Sequence, residues 1–217
     1  MNLEQARGNM VEQQIRTWEV LDQDVLDLLY VVPREEFVSE KHRALAFSDL
    51  QLPIGEGERM WEPKLEARVL QALKLGKTDK VLEVGTGSGY FTALLAYLAA
   101  HVHSVEIKPV LAQLGKRNLE RHVTENATLE AGDAALGWPG RAPYDAIVLT
   151  GSTPVLPASL QQQLAVGGRL FAVVGEPPVM TARLVTCAAP GAFHAVDLFE
   201  TVIDPLVNAE QRPRFRF

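Results

Sequence analysis

The chain has 217 residues, of which 47% are hydrophobic and 22% charged, with a formal net charge of −6 and a single cysteine. This supports a sizeable core built as one domain with an appendage. The negative balance gathers neither nucleic acid nor an anionic membrane, Cys187 forms no internal disulfide, no apolar run is long enough for a bilayer span, and the first residues, with Glu4 and Glu12 and no apolar core segment, do not read as a signal peptide. The expectation is a cytoplasmic protein without nucleic-acid or membrane partners, and its basic ending "RPRFRF" reads as a solvated tail.

In chain order, residues 1–60 read as a helical extension packed on a core of residues 61–217, the two forming a single folding unit. Asp22 stands as N-cap before Val25, Leu28, Leu29 and Val32 at helical spacing, and "VPREEFV" starts a second turn at Pro33. From Lys80 onward, strand-length apolar runs alternate with amphipathic segments. "KVLEVG" is followed by a helix over 90–100, "VHSVEI" by a helix over 109–122, and "ATLEAG" comes next. "YDAIVLT", a helix around 157–165 and "GRLFAVVG" continue the rhythm, and "VMTARLVTCAA" and "FHAVDLFETVI" flank Pro190 and Gly191 as a closing antiparallel hairpin. The fold class is therefore α/β, a doubly wound and mostly parallel sheet with an N-terminal helical extension and a C-terminal hairpin.

The stretch "VLEVGTGSGYFTALLA" places Gly85, Gly87 and Gly89 between the first strand of that pattern and its helix, where an open α/β sheet binds its ligand. Glycines there permit a sharp turn and close approach of a ligand to the main chain, so the loop Gly85, Thr86, Gly87, Ser88, Gly89 is a binding candidate. The pattern is G-x-G-x-G, not the dinucleotide G-x-G-x-x-G, since Tyr90 occupies the last position, and no Gly-Lys-Ser/Thr of a P-loop follows. Glu83 sets a carboxylate just before the loop, which would repel phosphates and suit a cation such as S-adenosylmethionine. Glu106, with Ile107 after it, ends the second strand where an acid can accept both ribose hydroxyls. Asp133, followed by Ala134, ends the third, where a carboxylate can accept from an adenine amino group.

"MVEQQIR", "VPREEFV", "LPIGEG", "VLEVGTGSGY", "GDAALGWP" and "PYDAIVLTG" together resemble the Class I methyltransferases, and within them the protein-L-isoaspartate O-methyltransferases. The resemblance covers most of the chain and implies transfer of a methyl group from S-adenosylmethionine to the free carboxylate of a damaged aspartyl residue, in protein repair. A carboxylate is already ionised at neutral pH, so such chemistry asks for desolvation and alignment rather than a general base.

One segment departs from the family. Where "YGQTIS-P" is usual after "LPIG", Arg59, Met60 and Trp61 stand in place of Thr, Ile and Ser, which removes the serine hydroxyl associated with the acceptor. Arg59 either grips a carboxylate bidentately or pairs with Glu58 or Glu62 at the surface, and Trp61 either shapes the acceptor pocket or plugs it. Thr150 ends the fourth strand beside the expected methyl position. Arg59, Trp61 and Thr150 are thus the acceptor-pocket candidates. The partner expected is a peptide or protein carboxylate; a small apolar acceptor and a non-catalytic cofactor-binding module are the alternatives. His101 and His103 share a strand face without a third ligand, so no metal is expected. Lys116, Arg117 and Arg121 read as a solvated helix face opposite Leu111, Leu114 and Leu119, and Trp138 and Trp18 as packing residues.

Overall fold

The structure, a computed structural model, describes residues 2–122 and 124–211; the basic ending at 212–217 lies outside them. Six α-helices are described, α1 (Leu3–Asn9), α2 (Gln23–Val31), α3 (Pro63–Leu73), α4 (Tyr90–Leu98), α5 (Pro109–Arg121) and α6 (Ala158–Gln161). The strands are β1 (Leu52–Gly55), β2 (Glu58–Met60), β3 (Lys80–Val84), β4 (His101–Glu106), β5 (Ala127–Ala131), β6 (Tyr144–Leu149), β7 (Leu164–Glu176), β8 (Val179–Ala189) and β9 (Ala192–Glu200). Seven of them form one sheet in the order β5-β4-β3-β6-β7-β8-β9, parallel from β5 to β7 and antiparallel across β7-β8 and β8-β9.

The strands carry apolar residues on both faces because helices cover both. Val81, Ala146, Val148, Phe171 and Val173 join one apolar cluster, while Leu82, Val84, Ile147, Leu149, Leu170 and Ala172 join the other. That is the two-residue alternation of a sheet buried on both sides. The helices follow the sequence as read: Asp22 accepts from the Asp24 amide at 3.0 Å to cap α2, and Pro63 and Pro109 open α3 and α5. Leu111 and Leu119 are buried on α5, while Lys116, Arg117 and Arg121 are exposed.

Three expectations change. Residues 52–60 are not helical but form the β1-β2 hairpin, because Glu56 and Gly57 both adopt positive φ (53° and 81°) and so make the two-residue turn whose twist matches paired strands. The helix around 157–165 contracts to Ala158–Gln161, since Leu164 is already paired with Tyr144 in the β6-β7 ladder. Trp18 is 46% exposed rather than packed, with the Lys64 ammonium 4.4 Å from its ring centroid. Trp138 does anchor its loop, donating to Glu130 at 2.6 Å, with a ring carbon 2.7 Å from where a Gly132 Cβ would lie.

Met10, Ile15, Leu26 and Leu29 of the extension share the apolar cluster of Trp61, Phe91 and Val148. Arg34 joins these layers. Only 1% exposed, its guanidinium donates to the carbonyls of Ala46 and Trp61 and pairs with Glu66 of α3, under the Tyr90 ring at 5.0 Å. Burial pushes the Glu66 carboxyl up to about 7, with Arg34 acting against that rise. Removing one partner of such a pair strands the other without its solvation. Arg34→Ala is expected to lose about 3–5 kcal/mol in urea denaturation, and Arg34→Met with Glu66→Leu to lose less than Arg34→Ala alone.

Candidate active site

The loop after β3 lies at the carboxyl edge of the sheet, with Gly85, Gly87 and Gly89 at φ of 100°, 54° and 82°. A Cβ on Gly85 would fall 2.1 Å from Thr150 Oγ1, and one on Gly87 3.0 Å from Ile54 Cδ1. Bare backbone is therefore required where β3, β6 and the β1-β2 hairpin converge. Gly89 serves another purpose. Its Cβ would meet the Gly115 carbonyl at 3.0 Å, so it seats α5 against the loop and lies outside the cleft lining.

Two cavities meet over this loop. The larger, about 760 Å³, is lined by Glu106, Ile107, Asp133 and Ala134 along the strand ends and by Ile203 to Val207 on the far side. The smaller, about 370 Å³, is lined by Thr86, Ser88, Phe91, Met60 and Glu66. Ile54, Arg59, Trp61, Gly85, Gly87 and Thr150 line both, so the three acceptor candidates stand at the junction. The Thr150 hydroxyl lies 2.8 Å from the Val84 carbonyl and 2.9 Å from that of Gly85, to which it donates, and its amide donates to Val84 at 3.0 Å.

The two outer acids are held as oriented acceptors. Glu106 Oε2 accepts from the Gly87 amide at 2.9 Å and Oε1 from the Lys108 amide at 3.0 Å. Asp133 accepts from the Ala135 amide at 2.9 Å and from Asn208 at 2.7 Å. Each carboxylate oxygen keeps a second lone pair, so both acids retain acceptor capacity for hydroxyl or amino groups. The basic residues at this cleft, Lys108 and Arg59, are paired with Glu58 and Asp204. A bare floor, acceptors at two strand ends and, among the described residues that line the cleft, no unpaired cation fit an adenosyl group carrying a sulfonium better than a pyrophosphate.

Glu83 departs from its expected role. It is fully buried and faces the helices, where its Oε2 accepts from Thr92 of α4 at 2.5 Å and Ser104 of β4 at 2.6 Å, and it lines neither cavity. Strand alternation explains this, because residue 83 shares the face of Val81 under α4 rather than projecting from the strand's end. Burial pushes its carboxyl up to about 8, the Ser104 and Thr92 hydroxyls pull it back, and the Glu106 charge adds to the rise. Through Ser104, 2.6 Å from the Thr86 hydroxyl, Glu83 braces the loop from beneath instead of meeting a ligand.

Arg59 pairs with neither Glu58 nor Glu62. Alternation along β2 turns Glu58 to the other side, onto Lys108, and Arg59 instead makes a bidentate pair with Asp204, at 2.9 and 2.7 Å. Trp61 packs against Phe91 and Phe171, with ring centroids 5.3 and 6.2 Å apart, so it is wall and roof at once. Sequence reasoning missed Lys108, Gln51 and Asp204 at the cleft, and named Glu58 only as a surface partner of Arg59. Lys108 carried a usable signal, two residues beyond Glu106 and opposite the acidic turn at Glu56 and Glu58; Asp204, remote in sequence, carried none. The rings of His101 and His103 lie 4.7 Å apart, and no group of three or more His, Cys, Asp or Glu among the described residues could hold a metal.

A carboxyl whose folded pKa is raised keeps its proton in the native state when the unfolded chain has lost it, so stability falls as pH rises between the two values. For Glu83 that window runs from the ordinary carboxylate range to about 8. Unfolding free energy should therefore drop by on the order of 2 kcal/mol between pH 6 and 9 through Glu83, and Glu83→Gln should reduce the slope to the part carried by Glu66, raised to about 7, as read by denaturant titrations across the range.

The model of the family described as Protein-L-isoaspartate(D-aspartate) O-methyltransferase matches residues 5–211. A Protochlamydia amoebophila protein-L-isoaspartate O-methyltransferase is 43% identical over 185 residues, 85% of this chain and 88% of that one. Protein-L-isoaspartate O-methyltransferase 2 of Marinobacter nauticus is 42% identical over 213 residues, 98% and 97% of the two chains. A solved protein-L-isoaspartate O-methyltransferase superposes with a TM-score of 0.81 at 26% identity, covering 93% of this chain and 66% of that one. A Plasmodium falciparum chain, solved in complex with S-adenosyl-L-homocysteine, shares the fold with a TM-score of 0.80 at 20% identity, over 95% of this chain and 99% of that one. The chain belongs to the protein-L-isoaspartate(D-aspartate) O-methyltransferase family.

Proposed function

We propose that this chain is an S-adenosylmethionine-dependent carboxyl O-methyltransferase that acts on isoaspartyl residues in protein repair. Family membership carries the activity, and the observation that carries the site is the junction of the two cavities at Gly85, Thr150, Arg59 and Trp61. When bound, S-adenosylmethionine supplies an electrophilic methyl group on a sulfonium sulfur. Glu106, fixed by the Gly87 and Lys108 amides, would hold the ribose hydroxyls, and Asp133, with Ala134 beside it, the adenine end. Gly85 and Gly87 would supply the floor.

The remaining work falls to the walls. The free carboxylate of an isoaspartyl residue needs no base, so it costs nothing that the Thr150 hydroxyl spends its proton on main-chain carbonyls and that Glu83 is sealed off. What the chain contributes is exclusion of water by Ile54, Trp61 and Phe91 and a fixed approach at the junction. Trp61 brings a rigid apolar wall where a hydroxyl is usual, so orientation rests on shape and on Arg59 rather than on a serine.

The same reading places the protein in the cytosol without a nucleic-acid partner. Its support is the net charge of −6, the buried lone Cys187 and the lack, among the described residues, of a helix long and apolar enough to cross a membrane.

Two measurements test it. Labelled methyl should pass to an isoaspartyl peptide and not to its aspartyl counterpart; transfer to neither, or equally to both, would sink the assignment. Glu106→Ala should weaken S-adenosylhomocysteine binding in calorimetry by on the order of tenfold or more, since a charge-assisted hydrogen bond is lost, while the variant still unfolds in one cooperative transition.

A further inference from the structure

Arg59 and Asp204 face each other across the cleft, and each of the two segments has further ties of its own besides the pair. Asp204's backbone is pinned independently: the Ser152 amide donates to its carbonyl at 2.8 Å, the Ser152 hydroxyl to Ile203 at 3.2 Å, and the Leu206 amide to Ser152 at 2.9 Å. The β1-β2 hairpin is likewise fixed by its own ladder, by Lys108 on Glu58 and the Glu56 carbonyl, and by Arg34 on the Trp61 carbonyl. What remains is a guanidinium fork filled by a carboxylate at the junction where the substrate's carboxylate has to arrive. Both side chains are part-exposed, 49% for Arg59 and 34% for Asp204, so water and other anions reach the pair and it can be exchanged. Glu58, the other carboxylate beside Arg59, is committed to Lys108.

We propose that Asp204 is a built-in stand-in for the substrate, occupying the Arg59 fork until the free carboxylate of an isoaspartyl residue displaces it. Arg59 is then the specificity residue that replaces the family's acceptor hydroxyl. The inference rests on the isoaspartyl reading above and adds a competitor internal to the chain. The exchange swaps one carboxylate for another in the same bidentate geometry, so it costs little and selects for a planar anion. A carboxylate oxygen held by one guanidinium N–H keeps a lone pair free, so the clamp orients the nucleophile without consuming it. Peptides lacking a free carboxylate at that point cannot evict Asp204 and leave the fork closed.

The test is equilibrium binding of an isoaspartyl peptide to the full chain loaded with S-adenosylhomocysteine, by calorimetry. Asp204→Asn and Asp204→Ala should each tighten the peptide about two- to fivefold, Arg59→Gln should weaken it on the order of tenfold, and Arg59→Gln with Asp204→Asn should match Arg59→Gln alone. Unchanged or weaker peptide binding in both Asp204 variants, with S-adenosylhomocysteine affinity retained, would overturn the exchange. In the parent protein, the Arg59 Nε–H resonance should shift on peptide addition, and a resonance that stays put overturns the proposal even if the variants fail to fold. A parent that neither binds nor methylates the peptide instead removes the isoaspartyl reading, which separates the two failures.

Discussion

A single buried cation sets the geometry on which the site depends. Arg34 comes from the N-terminal extension, yet its guanidinium reaches the carbonyls of Ala46 and Trp61 and the carboxylate of Glu66 on α3. An arginine sealed from water is tolerable only with every direction of its fork engaged. The residue after the hairpin is thereby fixed relative to α3, and Trp61's indole is set against Phe91 and Phe171. The helical part of the extension thus supports the roof over the reaction junction, to which the β1-β2 hairpin at its end supplies Ile54 and Arg59.

The acids divide by strand position. Glu83 lies within β3 and is driven toward its neutral form, while Glu106 and Asp133 lie at or beyond strand ends, where backbone amides turn their oxygens into fixed acceptors. Three carboxylates that look alike in a sequence motif therefore do different work. One braces the Gly85–Gly89 loop through Ser104 and Thr86, and two line the cleft.

Much of this was legible because sheet chemistry is local. The apolar runs at Val81 and Ala146 and the glycines at 85 and 87 announced a parallel sheet with a ligand edge, and the strands fell where the runs did. The hairpin was hidden since "LPIGEGERM" offers only three to four residues per strand, although Glu56-Gly57 is a turn signal in its own right. Glu83 misled because proximity to a glycine loop in sequence does not say which face of the strand a side chain takes. Asp204 was invisible for a different reason: its partnership with Arg59 spans 145 positions, and nothing in "VIDPL" marks it out.

The hairpin roof is fastened at its two flanks by charges, Lys108 to Glu58 on one side and Arg59 to Asp204 on the other, all at least partly open to water. Counter-ions weaken such fastenings, with a Debye length of about 8 Å at physiological ionic strength, whereas the bare-backbone floor beneath answers to no electrolyte. Electrolyte concentration thus acts on the cover and spares the base, so ionic conditions govern how readily the compartment is reached more than how well it holds what it has received.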